Sequence, residues 1–222
     1  MRPLLLLAAL FSLAAAAPST RDWRRTVTPS PSGFFVVGNP AARVKLVEWA
    51  SYTCSHCAHF AAESAPVLAD QMVRDGTTSL EIRHLIRDPL DLAAVVVARC
   101  GNPAGLLARH SAIFAGQQNW ISKGSDYVQA NGALLGKLPP PAAFRRIADN
   151  AGLTGIGRSA GLSEPQLAAC FKDQAALDRV TALNQSVPAE ITGTPTFFVN
   201  GALVPNAAWA QLEQRLRAAG AK

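Results

Sequence analysis

The chain has 222 residues, 49% of them hydrophobic and 16% charged. That balance excludes intrinsic disorder, and the length fits one domain carrying an insertion better than two full domains. The formal charge of +6 comes from scattered Lys and Arg, which argues against a nucleic-acid binder, and four cysteines are too few for a disulfide-stapled miniprotein.

Residues 1–16 read as a signal peptide. Arg2 is a short positive region, and Leu4 to Leu13 is an apolar run shorter than the roughly 20 residues a membrane-spanning helix needs. Ala14 to Ala17 supply the small residues a signal peptidase accepts, and Pro18 places the expected cut after Ala16. No cysteine follows the apolar run, so a lipid anchor on that residue is not expected. The expectation is an exported protein, periplasmic above all, in a compartment where disulfides persist. Residues 17–33, with Pro29 and Pro31, read as an extended leader.

A first αβ segment is expected over residues 34–87. Phe34 to Val37 is a short β-run closed by the turn signal Gly38-Asn39-Pro40. Val44 to Ala50 is β-branched and apolar, as in a strand covered on both faces. A helix follows from about Cys54, with a kink expected at Pro66, and Leu80 to Ile86 reads as a second strand. Residues 88–187 change to helices and loops. Asp88-Pro89 and Asn102-Pro103 open two of them, Pro140 or Pro141 a third, and Ser163-Glu164-Pro165-Gln166 reads as a capping box. A further helix is expected over Ala175 to Asn184. Strand signals return in residues 188–222: Thr196 to Val199, a tight turn at Asn200-Gly201, Ala202 to Val204, and an amphipathic helix from Ala207 to Ala219. The order is βαβ, helical block, ββα, in other words an α/β sheet interrupted by an all-helical insertion.

The chemistry concentrates at Cys54-Ser55-His56-Cys57. Two cysteines three apart, after a strand and at the first turn of a helix, bring their sulfurs within disulfide reach. The positive end of the helix dipole favours a thiolate at Cys54, and His56 adds a donor or a positive charge beside it. Cys57, one turn further in, is the expected resolving thiol. Zinc is the competing use of a CxxC, but no second pair follows, and His59 adds only a third ligand. Haem attachment needs His where Ala58 stands.

Residues 44–60 resemble the active-site strand and helix of DsbA-type thiol:disulfide oxidoreductases, members of the thioredoxin-fold superfamily. Gly193-Thr194-Pro195-Thr196-Phe197-Phe198-Val199-Asn200-Gly201 resembles the cis-proline loop and strand of the same fold. The resemblance implies a thioredoxin fold, a central mixed β-sheet flanked by helices, with the helical block inserted. It implies that Cys54 exchanges with substrate through a mixed disulfide and that Cys57 closes the internal bond. It further implies that Thr194–Pro195 is cis, leaving the Thr194 backbone free for an extended substrate, and that Glu48 is a partly buried acid moving protons at Cys57. A solvated strand carboxylate is the other reading of Glu48. Ser55 departs from the proline of the family's best-known oxidants, and this dipeptide tunes redox potential.

Cys100 and Cys170 match neither pattern; in an exported protein they are expected to form one structural disulfide, with two free buried thiols as the alternative. The expected activity is dithiol oxidation of cysteine-containing exported proteins, without cofactor or metal. A membrane or soluble redox partner would reset the site. Isomerase or reductase activity of the same fold stands second. Isomerases of this kind dimerise through an added N-terminal domain, and the short stretch before the first strand points to a monomer. A metal-binding or chaperone-like protein stands third.

Overall fold

The computed structural model describes residues 21–205 and 207–222. The expected signal peptide, residues 1–16, lies outside the described residues. A six-stranded mixed sheet has the order β1-β2-β4-β3-β5-β6, from β1 (Val27–Pro29), β2 (Phe35–Gly38), β3 (Val44–Ala50), β4 (Thr78–His84), β5 (Thr196–Val199) and β6 (Ala202–Val204). Only β3 and β4 run parallel; the other neighbours are antiparallel. β3 is central because both its faces are apolar, and it aligns Glu48 between Ile82 of β4 and Phe197 of β5. The Asn200-Gly201 turn closes the β5–β6 hairpin with φ of 50° and 83°, the paired positive values a two-residue hairpin loop needs.

One face of the sheet is covered by α1 (Ser55–Val67) and α9 (Trp209–Ala218). Phe60, Leu212 and Leu216 pack there against Leu46, Ile82 and Phe197. The fully buried Leu212 and Leu216 each contribute roughly 2 kcal/mol of apolar burial. On the other face Phe34 and Trp49 meet edge-to-face at 5.5 Å, with Ile191 and Leu183 against them.

Between β4 and β5 the chain is helical: α2 (Pro89–Arg99), α3 (Leu106–Ala115), α4 (Gln117–Leu135), α5 (Pro140–Ala151), α6 (Leu153–Ser159), α7 (Glu164–Lys172) and α8 (Gln174–Gln185). The Asp88 side chain caps α2 by accepting from the Asp91 N–H, and Ser163 with Gln166 closes a reciprocal capping box on α7. Cys100 and Cys170 are disulfide-bonded, joining the end of α2 to α7.

One expectation needs correction. Of the expected extended leader over 17–33, residues 17–20 lie outside the described residues and the rest is structured: Trp23–Arg25 form a 3-10 turn capped by Asp22, and β1 pairs with β2 as the edge of the sheet. Val27 lies among the residues packed on the core, and Pro29 is tolerated within β1 because it is an edge strand. At Pro66, where a kink is expected, the regular α-helix gives way within two residues to a π-helical turn at Leu68–Val73. Proline lacks the N–H that would continue the ordinary ladder, and the N–H of Arg74 reaches back five residues to Ala69 O. The longest helix, α4, carries no cap and no proline at its start and holds Gly124 and Gly132, so the signals that mark its neighbours are missing.

Candidate active site

β3 delivers the loop Ser51–Cys54 to the start of α1, where Cys54 is the N-cap residue. Cys54 and Cys57 are both free thiols and both buried. Their environments are opposite. The Cys57 thiol, directed at the Cys54 sulfur, is the main cause that lowers Cys54 to about 4; burial opposes it, and the Thr194 side chain and the N–H groups of Cys57 and His56 add to it. Those N–H groups favour charge on the sulfur without closing a full capping hydrogen bond. Cys57 is pushed far up by the same contact, then by burial and by the field of Glu48. One thiol is poised to leave or attack as thiolate, and the other holds its proton.

Glu48 is 1% exposed, and its Oε1 has no hydrogen-bond partner. Burial alone raises its carboxyl to about 8. The Thr194–Pro195 peptide is cis, and the Cys54 Sγ donates to Thr194 O at 3.3 Å. The Thr194 carbonyl accepts this bond only while Cys54 is a thiol; ionisation of Cys54 removes the donor and leaves the carbonyl open. His56 acts through its backbone N–H. Its side chain is exposed and lines a cleft of about 460 Å³ with His59, Phe60, Thr194, Pro195 and Trp209, and its contribution to Cys54 comes from the backbone. A side chain in the first helical turn points away from the axis, whereas its N–H points back to the N-cap. His59 Nε2 lies 3.2 Å from Glu63 Oε1 on the exposed side of α1. Among the described residues no three His, Cys, Asp or Glu side chains converge as metal ligands.

The structure adds residues that no local motif marks. Asp91 of α2 is fully buried and accepts from Ser51 Oγ at 2.5 Å, the Tyr52 N–H at 2.9 Å and the Arg87 N–H at 3.2 Å. Burial lifts its carboxyl to about 6 against those donors. Gln117, the first residue of α4, donates from Nε2 to Tyr52 O at 2.8 Å and Cys54 O at 2.9 Å. Tyr52 packs on His84 and Phe114, and its hydroxyl shares a hydrogen bond with His110 Nδ1 at 3.0 Å. Burial holds both histidines below the usual range, His110 at about 4, so both rings are uncharged at neutral pH.

A CxxC on a helix start facing a cis-proline, within this sheet order, is matched by a family model described as Thioredoxin over residues 32–218. The chain belongs to the thioredoxin family. Two curated relatives in that setting, from Rickettsia conorii and Rickettsia prowazekii, each bear the name "Putative protein-disulfide oxidoreductase". They are 28% and 29% identical over 178 residues, covering 77% of this chain and 54% and 56% of the relatives. The chain thus spans about half the length of those relatives. Among solved structures, a protein-disulfide isomerase from Novosphingobium aromaticivorans is 29% identical with a TM-score of 0.73, over 82% of this chain and 95% of that one. Wolbachia pipientis alpha-DsbA1, 18% identical with a TM-score of 0.64 over 82% of this chain and 88% of its own, shares the fold. The family's architecture here is the DsbA-type variant, a mixed sheet with a helical insertion between β4 and β5.

Proposed function

We propose that the chain is an exported thiol:disulfide oxidoreductase that acts as a dithiol oxidase on cysteine-containing secreted or periplasmic proteins. The observation that carries this reading is the opposed acidity of Cys54 and Cys57. A stable Cys54 thiolate favours the reduced pair and makes the Cys54–Cys57 disulfide oxidising. A substrate thiolate attacks Cys54 Sγ, forming a mixed disulfide and expelling Cys57 as thiolate. Cys57 takes up a proton, for which Glu48, neutral below about pH 8, is the nearby donor. A second substrate thiolate then attacks the substrate sulfur and releases Cys54 as thiolate. The substrate loses two electrons and gains a disulfide, and the CxxC gains them as the Cys54 thiolate and the Cys57 thiol, while Glu48 regains its proton from solvent. A redox partner that accepts two electrons, with the Cys57 proton passing to Glu48 or solvent, resets the site. Export is supported by the signal-like residues 1–16 and by the Cys100–Cys170 disulfide.

Redox equilibrium of Cys54–Cys57 against glutathione tests the direction. An oxidase gives a pair reduced readily by glutathione, and Cys54 alkylates rapidly at pH 5. A thiol titrating near the free value of about 8.5 overturns the oxidase reading. The pH linkage gives a second readout. Cys54 is lowered from 9.0 to about 4, so its stabilisation of the reduced protein is absent below about 4 and complete above 9. The stability of the reduced form relative to the oxidised form therefore rises through that window. The Novosphingobium neighbour, described as an isomerase, favours isomerisation as the second reading; refolding of a scrambled substrate without added oxidant separates the two.

A further inference from the structure

We propose that Gln117 is a positioning residue for the Cys54 nucleophile, acting by holding the two carbonyls of the active-site loop. One side-chain amide group donates to Tyr52 O and to Cys54 O, from a residue only 5% exposed. Its base is rigid. α4 starts at an elbow where the N–H groups of Asn119 and Trp120 both return to Gly116 O, and the Trp120 indole donates to Ile113 O at 2.8 Å. From the other side Asp91 holds the Tyr52 N–H and the Ser51 hydroxyl. The Tyr52 residue is thus fixed at its N–H by α2 and at its carbonyl by α4, two helices that belong to the insertion and not to the sheet.

The consequence for the thiol is one of orientation. Cys54 O also accepts from the Ala58 N–H at 3.2 Å, the first bond of α1, and so points along the helix. Gln117 adds a donor at 2.9 Å and ties this first turn to the preceding loop, so that the N–H groups of His56 and Cys57 stay turned to the sulfur. A clamp that merely satisfied buried carbonyls would leave the thiolate untouched when replaced. This inference rests on the thiol-exchange reading only for its effect on turnover; the acidity of the thiol is measured without any substrate.

The test compares the reduced full chain with Gln117→Met, which keeps the volume and removes both donors. Ultraviolet thiolate absorbance is followed against pH, and redox equilibrium against glutathione. The Cys54 midpoint is expected to rise by about one unit and the equilibrium to shift about tenfold toward the disulfide, with circular dichroism unchanged. Gln117→Asn, polar but one methylene shorter, reads the same quantity should the methionine variant unfold, and is expected to fall between the two. An unmoved midpoint in a folded variant overturns the proposal. A wild-type thiol that titrates near the free value defeats the oxidase reading instead, and the shift on substitution is still read from that baseline.

Discussion

Glu48 is held where water cannot reach it and where nothing donates to its Oε1, so the fold penalises its charge and keeps its proton. The sign of the pH effect follows. Its carboxyl is raised from 4.5 to about 8, so the penalty on the folded state is absent below 4.5, grows across the window and is complete above 8. Glu48→Gln is expected to match wild-type stability near pH 4.5 and to exceed it by a few kcal/mol at pH 8 and above, by denaturant unfolding. The same substitution is expected to slow mixed-disulfide exchange by at least about tenfold, because Cys57 loses its proton donor. Cys54 and Cys57 were legible because their spacing at a helix start carries the chemistry, whereas Glu48 and Thr194–Pro195 were marked only by the family resemblance of the runs that hold them. Gln117 and Asp91 were not, since their partners stand 63 and 39 residues away and only packing brings them together.

Among the elements, α4 shows how one residue type serves two purposes. A Cβ at Gly124 would come within 2.5 Å of Leu90 Cδ1 and 3.1 Å of Ala151 Cβ, so glycine there lets α4 approach α2 and α5. Gly132, in the same helix, has open space around its Cα. Gly132→Ala is expected to stabilise by about 0.5–1 kcal/mol through helix propensity. Gly124→Ala is expected to destabilise by about 1–2 kcal/mol despite the same propensity gain, because the clash outweighs it. Thermal unfolding of the two variants checks both signs, and equal gains would mean that the approach is not tight. Read along the chain, both glycines weaken the helical pattern alike. By contrast α7 was legible from Ser163 and Gln166 alone, because a capping box is a local hydrogen-bond pattern. The π turn after Pro66 lay between these cases: proline announces a disturbance, but packing of Leu68, Met72 and Val73 on the core decides its form.

For the whole molecule, the Cys100–Cys170 bond closes a separation of 70 residues within the insertion. By chain entropy it stabilises by up to about 4 kcal/mol. Replacing both cysteines by serine is expected to lower stability by about 2–4 kcal/mol while leaving the Cys54 thiolate titration in place; a shifted titration would show that the bond also shapes the active site. The division into sheet and insertion was visible from the change in element type near residue 88 and its reversal near 188. What that division could not convey is that the insertion reaches back to the nucleophile.

Asn184, at the end of α8, bonds the backbone of Ile86 twice, accepting from its N–H at 2.8 Å and donating to its carbonyl at 3.1 Å. Entry and exit of the insertion are thereby stitched side by side, as in a cassette whose two ends meet, while Asp91 and Gln117 tie its body to the active-site loop. For protein engineering this has two sides. The cassette could be exchanged for a relative's without moving β4 or β5. Yet every exchange also replaces the residues equivalent to Asp91 and Gln117, so a graft would carry the donor's thiol acidity with it. Chimeras of this kind should inherit their sheet from one parent and their redox character from the other.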